Sequence, residues 1–406
     1  MVNIQAKTRA LQEALVNQNA TQVATALELP PIVIPSSSSS MPTKHKQQSL
    51  IIGDVDYGSL LTSLLDATAA VEMGDAEAAA QAQLSLHKTF NQIFGSSEGN
   101  WLVPALIVVC KTTNRMANAA DYRLSSKNRS KPQQRANLQK AVPIMQDSYS
   151  KTFNDRTEFQ PGAPFDSVGS KKAGVLAIVN VLFGMYFRLN ILRLCKNLIR
   201  PVEGRKLNET GTMADMVTYN YYIGRLNMFE DQHDKAEVCL DYALQHCHKD
   251  AVHNKKCILK YLVPVKLYRG RLPSMRLLDK YGLEEFKPLV DGIEKGDLRT
   301  FQDGLVKYQD GFIRQGTYLM LEKCKTVCYR NLFKRVHIIM QKHQISLHQV
   351  ANAFKWLGMP MDLDEIECIM ANLIFRGYVR GYLSHQKRVL VLSKRDPFPT
   401  SSVIRS

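Results

Sequence analysis

From about Leu50 to Met340, apolar residues recur at intervals of three and four, separated by short polar turns such as Met73-Gly74-Asp75 and Lys295-Gly296-Asp297. That period belongs to amphipathic helices laid on a common core. No strand–helix alternation interrupts it, so the pattern predicts an all-α array. Residues 1–28 read as one weakly amphipathic helix carrying Ile4, Leu11, Leu15 and Val16. Residues 29–49 place three prolines ahead of five serines, the composition of a flexible tether. Residues 50–212 are then expected to form N-terminal helical repeats and 213–328 a second helical block. Two regions break the pattern: the polar, basic Ser125–Gln134 and the Pro- and Gly-bearing Thr157–Lys172. The apolar run Ala173–Phe187 is 15 residues long and interrupted by Asn180. A membrane span needs ~20 such residues, so a buried helix is expected.

One segment has the grammar of a tetratricopeptide-like hairpin, which needs small residues where two antiparallel helices touch. Ile223 and Gly224 lie in its first helix, and Ala236, Leu240 and Ala243 line the second. Asn220 and Asn227 occupy the usual aromatic positions. The repeat is degenerate, a pointer to a helical solenoid more than to peptide binding.

From Tyr329 the pattern changes. A helix runs to Met340, and Ser346 caps another bearing Leu347, Val350, Phe354 and Leu357. Asp362 or Asp364 opens a third, with Ile366, Ile369, Met370, Leu373 and Ile374 on one stripe and Gly377 at its end. Two strand-like runs follow, Tyr378–Leu383 and Arg388–Leu392, joined by a turn over Ser384–Lys387. Three helices and a hairpin over 329–397 predict a winged helix, leaving 398–406 as a tail. The expected fold is all-α: a tetratricopeptide-like solenoid capped by a C-terminal winged helix.

Composition narrows the function. With 45% hydrophobic residues in 406, wholesale disorder is excluded. The opening residues hold no apolar core of a secretory signal, so the eight cysteines are expected to be reduced thiols. Catalytic motifs are thin. Gly95-Ser96-Ser97-Glu98-Gly99 matches G-x-S-x-G, but a nucleophile elbow needs a strand before it and here a helix precedes it, so a Gly/Ser loop is expected. Cys239, His246, Cys247, His248, His253 and Cys257 crowd together, yet no CxxC pair nucleates a zinc site. No catalytic residue, metal or other cofactor is expected.

Charge is the stronger signal. The net charge is +16, more than solubility requires. Lys111–Lys140 holds eight Lys/Arg against the single acid Asp121. Lys255–Arg271 and Lys323–Lys342 form further basic stretches, and the winged helix adds Arg376, Arg380, Lys387, Arg388, Lys394 and Arg395. This clustering predicts contact with a nucleic-acid backbone. The third helix of the winged helix begins with Asp362, Asp364, Glu365 and Glu367. Those acids repel phosphate at the end that normally meets bases, so binding is expected through the wing and flanking helices, with little sequence preference.

A helical array ending in a winged helix is the layout of the PCI domain, shared by subunits of the proteasome lid, the COP9 signalosome and translation initiation factors. The strings Tyr261–Ser274, Lys280–Leu298, Tyr329–Val336 and Ala371–Gln386 resemble the PCI-domain branch of the second transcription-export complex, which couples transcription to mRNA export at the nuclear pore. The resemblance implies a non-enzymatic scaffold subunit found in the nucleus, at pores and chromatin, and also in the cytoplasm. Its implied partners are a large PCI-like scaffold, a small acidic protein shared with the proteasome lid, and RNA or DNA. Carried over by position, Arg376, Arg380, Lys387 and Arg388 are the expected nucleic-acid contacts, and the basic clustering adds Lys394, Arg395, Lys334 and Arg335. Lys260, Lys266, Arg269 and Arg271 are the expected dock for the acidic protein. The alternative is a subunit of a lid-like or signalosome-like complex whose winged helix serves only assembly.

Overall fold

The computed structural model describes residues 4–32, 51–52, 55–127, 135–160, 162, 165, 168–209 and 211–399. Most of the expected tether at 29–49, and Arg129 and Lys131 of the basic loop, lie outside the described residues. Leu29 does not: it is fully buried, so a tether cannot begin there. Residues ahead of it form two helices, not one, Ile4–Val16 and Ala20–Leu27. Gln18 takes a left-handed φ of 48° between them, and Asn19 Oδ1 accepts from Gln22 N at 3.0 Å to start the second.

The chain divides into two compact units, Met1–Tyr222 and Ile223–Ser406. The division falls inside the helix Met213–Phe229 and not ahead of Met213. In the first unit the helices Gly58–Glu72, Ala76–Ser96, Val103–Lys127, Ala136–Phe153 and Val175–Leu189 each pack on the next. Sharp reversals make this possible. Gly74 adopts φ 71° and Asp75 Oδ1 accepts from Glu77 N at 3.0 Å and Ala78 N at 3.1 Å, so one dipeptide ends a helix and caps another. Val175–Leu189, the most apolar helix, buries Val175 to Phe183 without a break. Asp121, the lone acid of its basic stretch, is buried and accepts from Asn137 N and Leu138 N, each at 3.0 Å. It thereby caps the helix Ala136–Phe153. Gly95 and Ser96 belong to the last turn of Ala76–Ser96, so only Ser97 onward is loop.

The second unit opens on the predicted hairpin, completed by the helix His233–His246. A Cβ on Gly224 would lie 2.6 Å from Leu240 Cγ and 3.3 Å from the Ala236 carbonyl oxygen, so only glycine lets the helices approach this closely. Downstream, Gly296 (φ 66°) and Asp297 repeat the Gly-Asp reversal, Asp297 Oδ1 accepting from Arg299 N at 3.0 Å and Thr300 N at 3.1 Å.

The winged helix follows: Lys325–Met340, Leu347–Trp356 and Leu363–Phe375, with strands Gln344–Ser346, Gly381–Ser384 and Val389–Leu392. Val389–Leu392 is the central strand, antiparallel to both others, with Leu390 opposite Ile345 on one side and Leu383 on the other. The hydrophobic pattern missed the strand Gln344–Ser346, whose lone apolar residue, Ile345, cannot show a period. Tyr378 and Val379 are not strand residues; their amides bond back to the Leu373 carbonyl at 2.9 and 3.2 Å and close the helix. Phe398 and Pro399 are buried, and Arg330 Nη2 donates to their carbonyl oxygens at 2.9 and 2.8 Å. The fold therefore extends two residues into the expected tail.

Candidate nucleic-acid interface

The wing and the acidic-start helix Leu363–Phe375 are fastened to each other. Arg388 sits in the wing turn with φ 47°, a conformation costly for a non-glycine residue. Its carbonyl accepts from Leu347 N at 2.9 Å, and its Nη2 lies 3.3 Å from Asp364 Oδ1. His385, at the other side of the turn, places Nδ1 2.9 Å from Glu367 Oε1. Two carboxylates expected to repel phosphate are therefore engaged by the wing, and the part-exposed Arg388 side chain is turned toward one of them. Arg380 is half-engaged as well, Nη1 lying 3.2 Å from Asp396 Oδ2. Pairs this exposed contribute about 0–1 kcal/mol each, so they orient the side chains more than they stabilise the fold.

The remaining predicted contacts divide cleanly. Arg335 Nη2 donates to the Glu294 carbonyl at 3.3 Å, at the C-terminal end of the helix Lys287–Lys295. Lys334, Arg376, Lys387, Lys394 and Arg395 are exposed. None of their side chains has an ion pair or hydrogen bond among the described residues, so these five remain available to an external anion.

The expected dock for an acidic chain is occupied from within. Lys266 Nζ lies 2.7 Å from Asp241 Oδ1, Arg269 Nη1 lies 2.8 Å from Glu237 Oε2, and Arg271 Nη1 lies 2.7 Å from Glu237 Oε1. Arg269 also reaches Asp234. Glu237 is 5% exposed, so three of the four cations hold the helix Val252–Tyr268 against His233–His246. Of the four, Lys260 alone keeps a half-exposed ammonium without such a partner among the described residues.

Members of the His/Cys cluster make local contacts, two of them within their own helices. His246 Nδ1 donates to the Tyr242 carbonyl at 2.9 Å and its ring stacks on Tyr242 with centroids 4.0 Å apart. Cys247 is buried and Cys257 Sγ lies 3.6 Å from His253 Nε2. Among the described residues no three His, Cys, Asp or Glu side chains converge as metal ligands.

Three exposed aromatics of the winged helix are not singled out by the sequence pattern: Trp356 at 85%, Phe375 at 90% and Tyr382 at 64%. A signal for the first two was present. Each falls outside its helix's buried stripe, Trp356 beside Leu347, Val350 and Phe354, and Phe375 beside Ile366, Met370 and Leu373. Apolar residues out of phase with a core stripe are candidates for a surface role. Phe375 immediately precedes Arg376, which puts a flat ring and a guanidinium side by side in sequence at the helix end. Rings of this kind stack on unpaired bases, and cations of this kind meet phosphates.

Comparison with known proteins agrees with this architecture. A PCI domain model matches residues 305–394. PCI domain-containing protein 2 of Xenopus laevis is 40% identical over 308 residues, covering 76% of this chain and 75% of that one. Its Danio rerio counterpart is 36% identical over 377 residues, 92% of each chain. Enhanced ethylene response protein 5 of Arabidopsis thaliana is 37% identical over 352 residues, 85% of this chain and 81% of its own.

Proposed function

The chain belongs to the PCI domain-containing protein 2 family, and from that premise we propose that it is a non-enzymatic scaffold subunit of a nuclear complex coupling transcription to mRNA export. It binds a large PCI-like scaffold and a small acidic protein, and offers its winged helix to an RNA or DNA backbone at the pore and on chromatin. The observation that carries the nucleic-acid reading is the set of exposed cations Arg376, Lys387, Lys394 and Arg395, unpaired among the described residues, in a winged helix that also exposes the rings of Phe375 and Tyr382. Because Arg388 pairs with Asp364, the acidic start of the third helix presents less negative charge than its sequence suggests.

Salt dependence of binding to a labelled single strand tests it. Changing Arg376, Lys387 and Lys394 to Gln removes three cations that hold nothing among the described residues. The log-affinity versus log-salt slope should then fall by about 2, at ~0.7 for each phosphate no longer engaged. An unchanged slope refutes the reading.

A second reading, in which the winged helix serves only assembly, is favoured by one observation: Trp356 and Phe375 are large apolar side chains left almost wholly in water. It expects Trp356→Ser and Phe375→Ser to abolish capture of the scaffold while oligonucleotide affinity stays unchanged.

A further inference from the structure

The helix Arg193–Gly204 in the first unit has two opposed faces. Cys195, Leu198 and Val202 are buried on one, and Arg193, Lys196 and Arg200 are exposed on the other. At 100° per residue those three cations fall within about 60° of one another and span roughly 10 Å of helix. Arg205 and Lys206 continue the series past the helix end, both exposed. The one carboxylate of the helix, Glu203, accepts from the Tyr219 hydroxyl at 3.2 Å. The side chains of Arg193, Arg200 and Lys206 have no ion pair or hydrogen bond among the described residues.

The series runs into an open pocket of about 510 Å³ whose lining includes Asp155, Arg156, Phe159, Lys172, Arg205 and Leu207. Its cations are aimed without being neutralised. Arg205 Nη1 donates to the Phe153 carbonyl at 3.0 Å and its guanidinium stacks 4.0 Å from the Phe153 ring centroid. Lys172 Nζ donates to the Thr157 carbonyl at 3.0 Å. The lining holds one carboxylate against three cations: Asp155, charged, accepts from Ser170 Oγ at 2.8 Å and Lys171 N at 2.7 Å. Phe159 is the pocket's half-exposed ring.

We propose that this surface is a second nucleic-acid site, specific for single strands, in which the Arg193–Gly204 face follows the phosphates and the pocket receives an unstacked base against Phe159. A charged track with an aromatic stacking position is the combination that binds single strands without sequence preference. A paired base cannot leave its stack to enter such a pocket without an unstacking cost. An acidic protein would instead need apolar anchors, and the exposed face of the helix supplies cations, Asn197 and the bonded Glu203. The site lies wholly in the first unit, so it does not depend on the winged-helix reading above.

The test uses the full chain and a fluorescein-labelled ~20-nucleotide oligouridine, followed by anisotropy over a salt series. Changing Arg193, Arg200 and Lys206 to Gln should lower the salt slope by about 2 and weaken binding about a hundredfold at ~0.1 M salt. Phe159→Ala should weaken binding about tenfold with no change in slope, as removal of one stacked base requires. The triple Gln variant keeps the proposal testable if Phe159→Ala unfolds, since its three side chains are on the surface. The wing variant, measured in parallel, separates the two claims: weakening there with none in the helix variant overturns this site alone. Equal weakening for duplex and single strand overturns the single-strand assignment. Unchanged oligouridine binding with abolished binding of poly-glutamate overturns it in favour of an acidic protein.

Discussion

Replacing Glu237 with Ala tests whether the basic stretch Lys260–Arg271 is a dock or a fastening. Glu237 is 5% exposed and receives Arg271 on Oε1 at 2.7 Å, with Arg269 2.8 Å from Oε2. The second approach is close but poorly aligned, so Oε2 is buried with no well-formed hydrogen bond among the described residues. It is Coulombic, which leaves one good charge-assisted bond. Removing a fully buried partner costs about 3–5 kcal/mol because a buried charge is stranded. Here the stranded groups are not fully buried: Arg269 is 26% and Arg271 51% exposed, and Arg269 retains Asp234. The loss should therefore sit near the value of a single charge-assisted hydrogen bond, about 2 kcal/mol. For a unit of this size each kcal/mol moves the melting temperature by about 2–4 °C, so a fall of about 4–8 °C is expected. Differential scanning calorimetry reads it directly. Arg271→Ala should give a smaller fall, and Asp241→Ala a fall of no more than about 1 kcal/mol because its pair with Lys266 is part-exposed. A melting temperature in Glu237→Ala matching that of the parent would refute the fastening. Loss of an acidic peptide from Arg269→Ala and Arg271→Ala without thermal change would restore the dock.

Gly296→Ala should lose about 3 kcal/mol by urea unfolding, since φ is 66° and the new Cβ would lie 2.5 Å from Leu332 N, a backbone atom that cannot rotate aside. A loss under about 1 kcal/mol would mean the helix end shifts freely. His87 is wholly buried, and burial pushes its imidazole down to about 3, well below its unfolded value of 6.5. The unfolded chain then binds the extra proton, so this contribution is complete above pH ~6.5 and is lost as pH falls toward ~3, at about 1.4 kcal/mol per pH unit. Unfolding free energies of His87→Gln from about pH 7 to about pH 4.5 should show that much less slope than the parent; equal slopes would contradict it. Gln349→Ala removes the acceptor of Ser346 N at 3.1 Å, and should cost about 1 kcal/mol in chemical denaturation.

Local rules carried the fold further than they carried the site. Gly224 facing Leu240, the Gly-Asp reversals at 74–75 and 296–297, and the capped helix after Ser346 are each decided within a few residues, so period and turn chemistry expose them. The strand Gln344–Ser346 was illegible because three residues with one apolar side chain hold no period, and it exists only through pairing with Val389–Leu392. The short ladder of Ile51–Ile52 with Val55–Asp56 escaped for the same reason. Charge behaved differently. A run of lysines and arginines declares its sign but not its partner, because ion pairs form across helices. Lys266 meets Asp241, Arg269 and Arg271 meet Glu237, and Arg388 meets Asp364 over separations that linear clustering does not see.

That difference orders the basic surfaces of this chain. Where a basic helix packs against a helix with acids on its near face, its cations are consumed in docking, as between Val252–Tyr268 and His233–His246. Where a helix buries an apolar stripe, cations on its far side face outward, as Arg193 and Arg200 do on Arg193–Gly204 without an ion pair or hydrogen bond among the described residues. The winged helix is intermediate: Arg380 and Arg388 are paired internally while Arg376, Lys387, Lys394 and Arg395 remain unpaired among the described residues. The density of positive residues in sequence therefore does not rank these surfaces by the cations they leave unpaired among the described residues. The run Lys255–Arg271, dense in cations, meets Asp234, Glu237 and Asp241, whereas the helix whose cations are diluted by Leu194, Leu198 and Ile199 meets no such row of carboxylates among the described residues. An exposed anion-binding face on a helical array requires both a cationic stripe and an opposite stripe apolar enough to anchor the helix without help from charge.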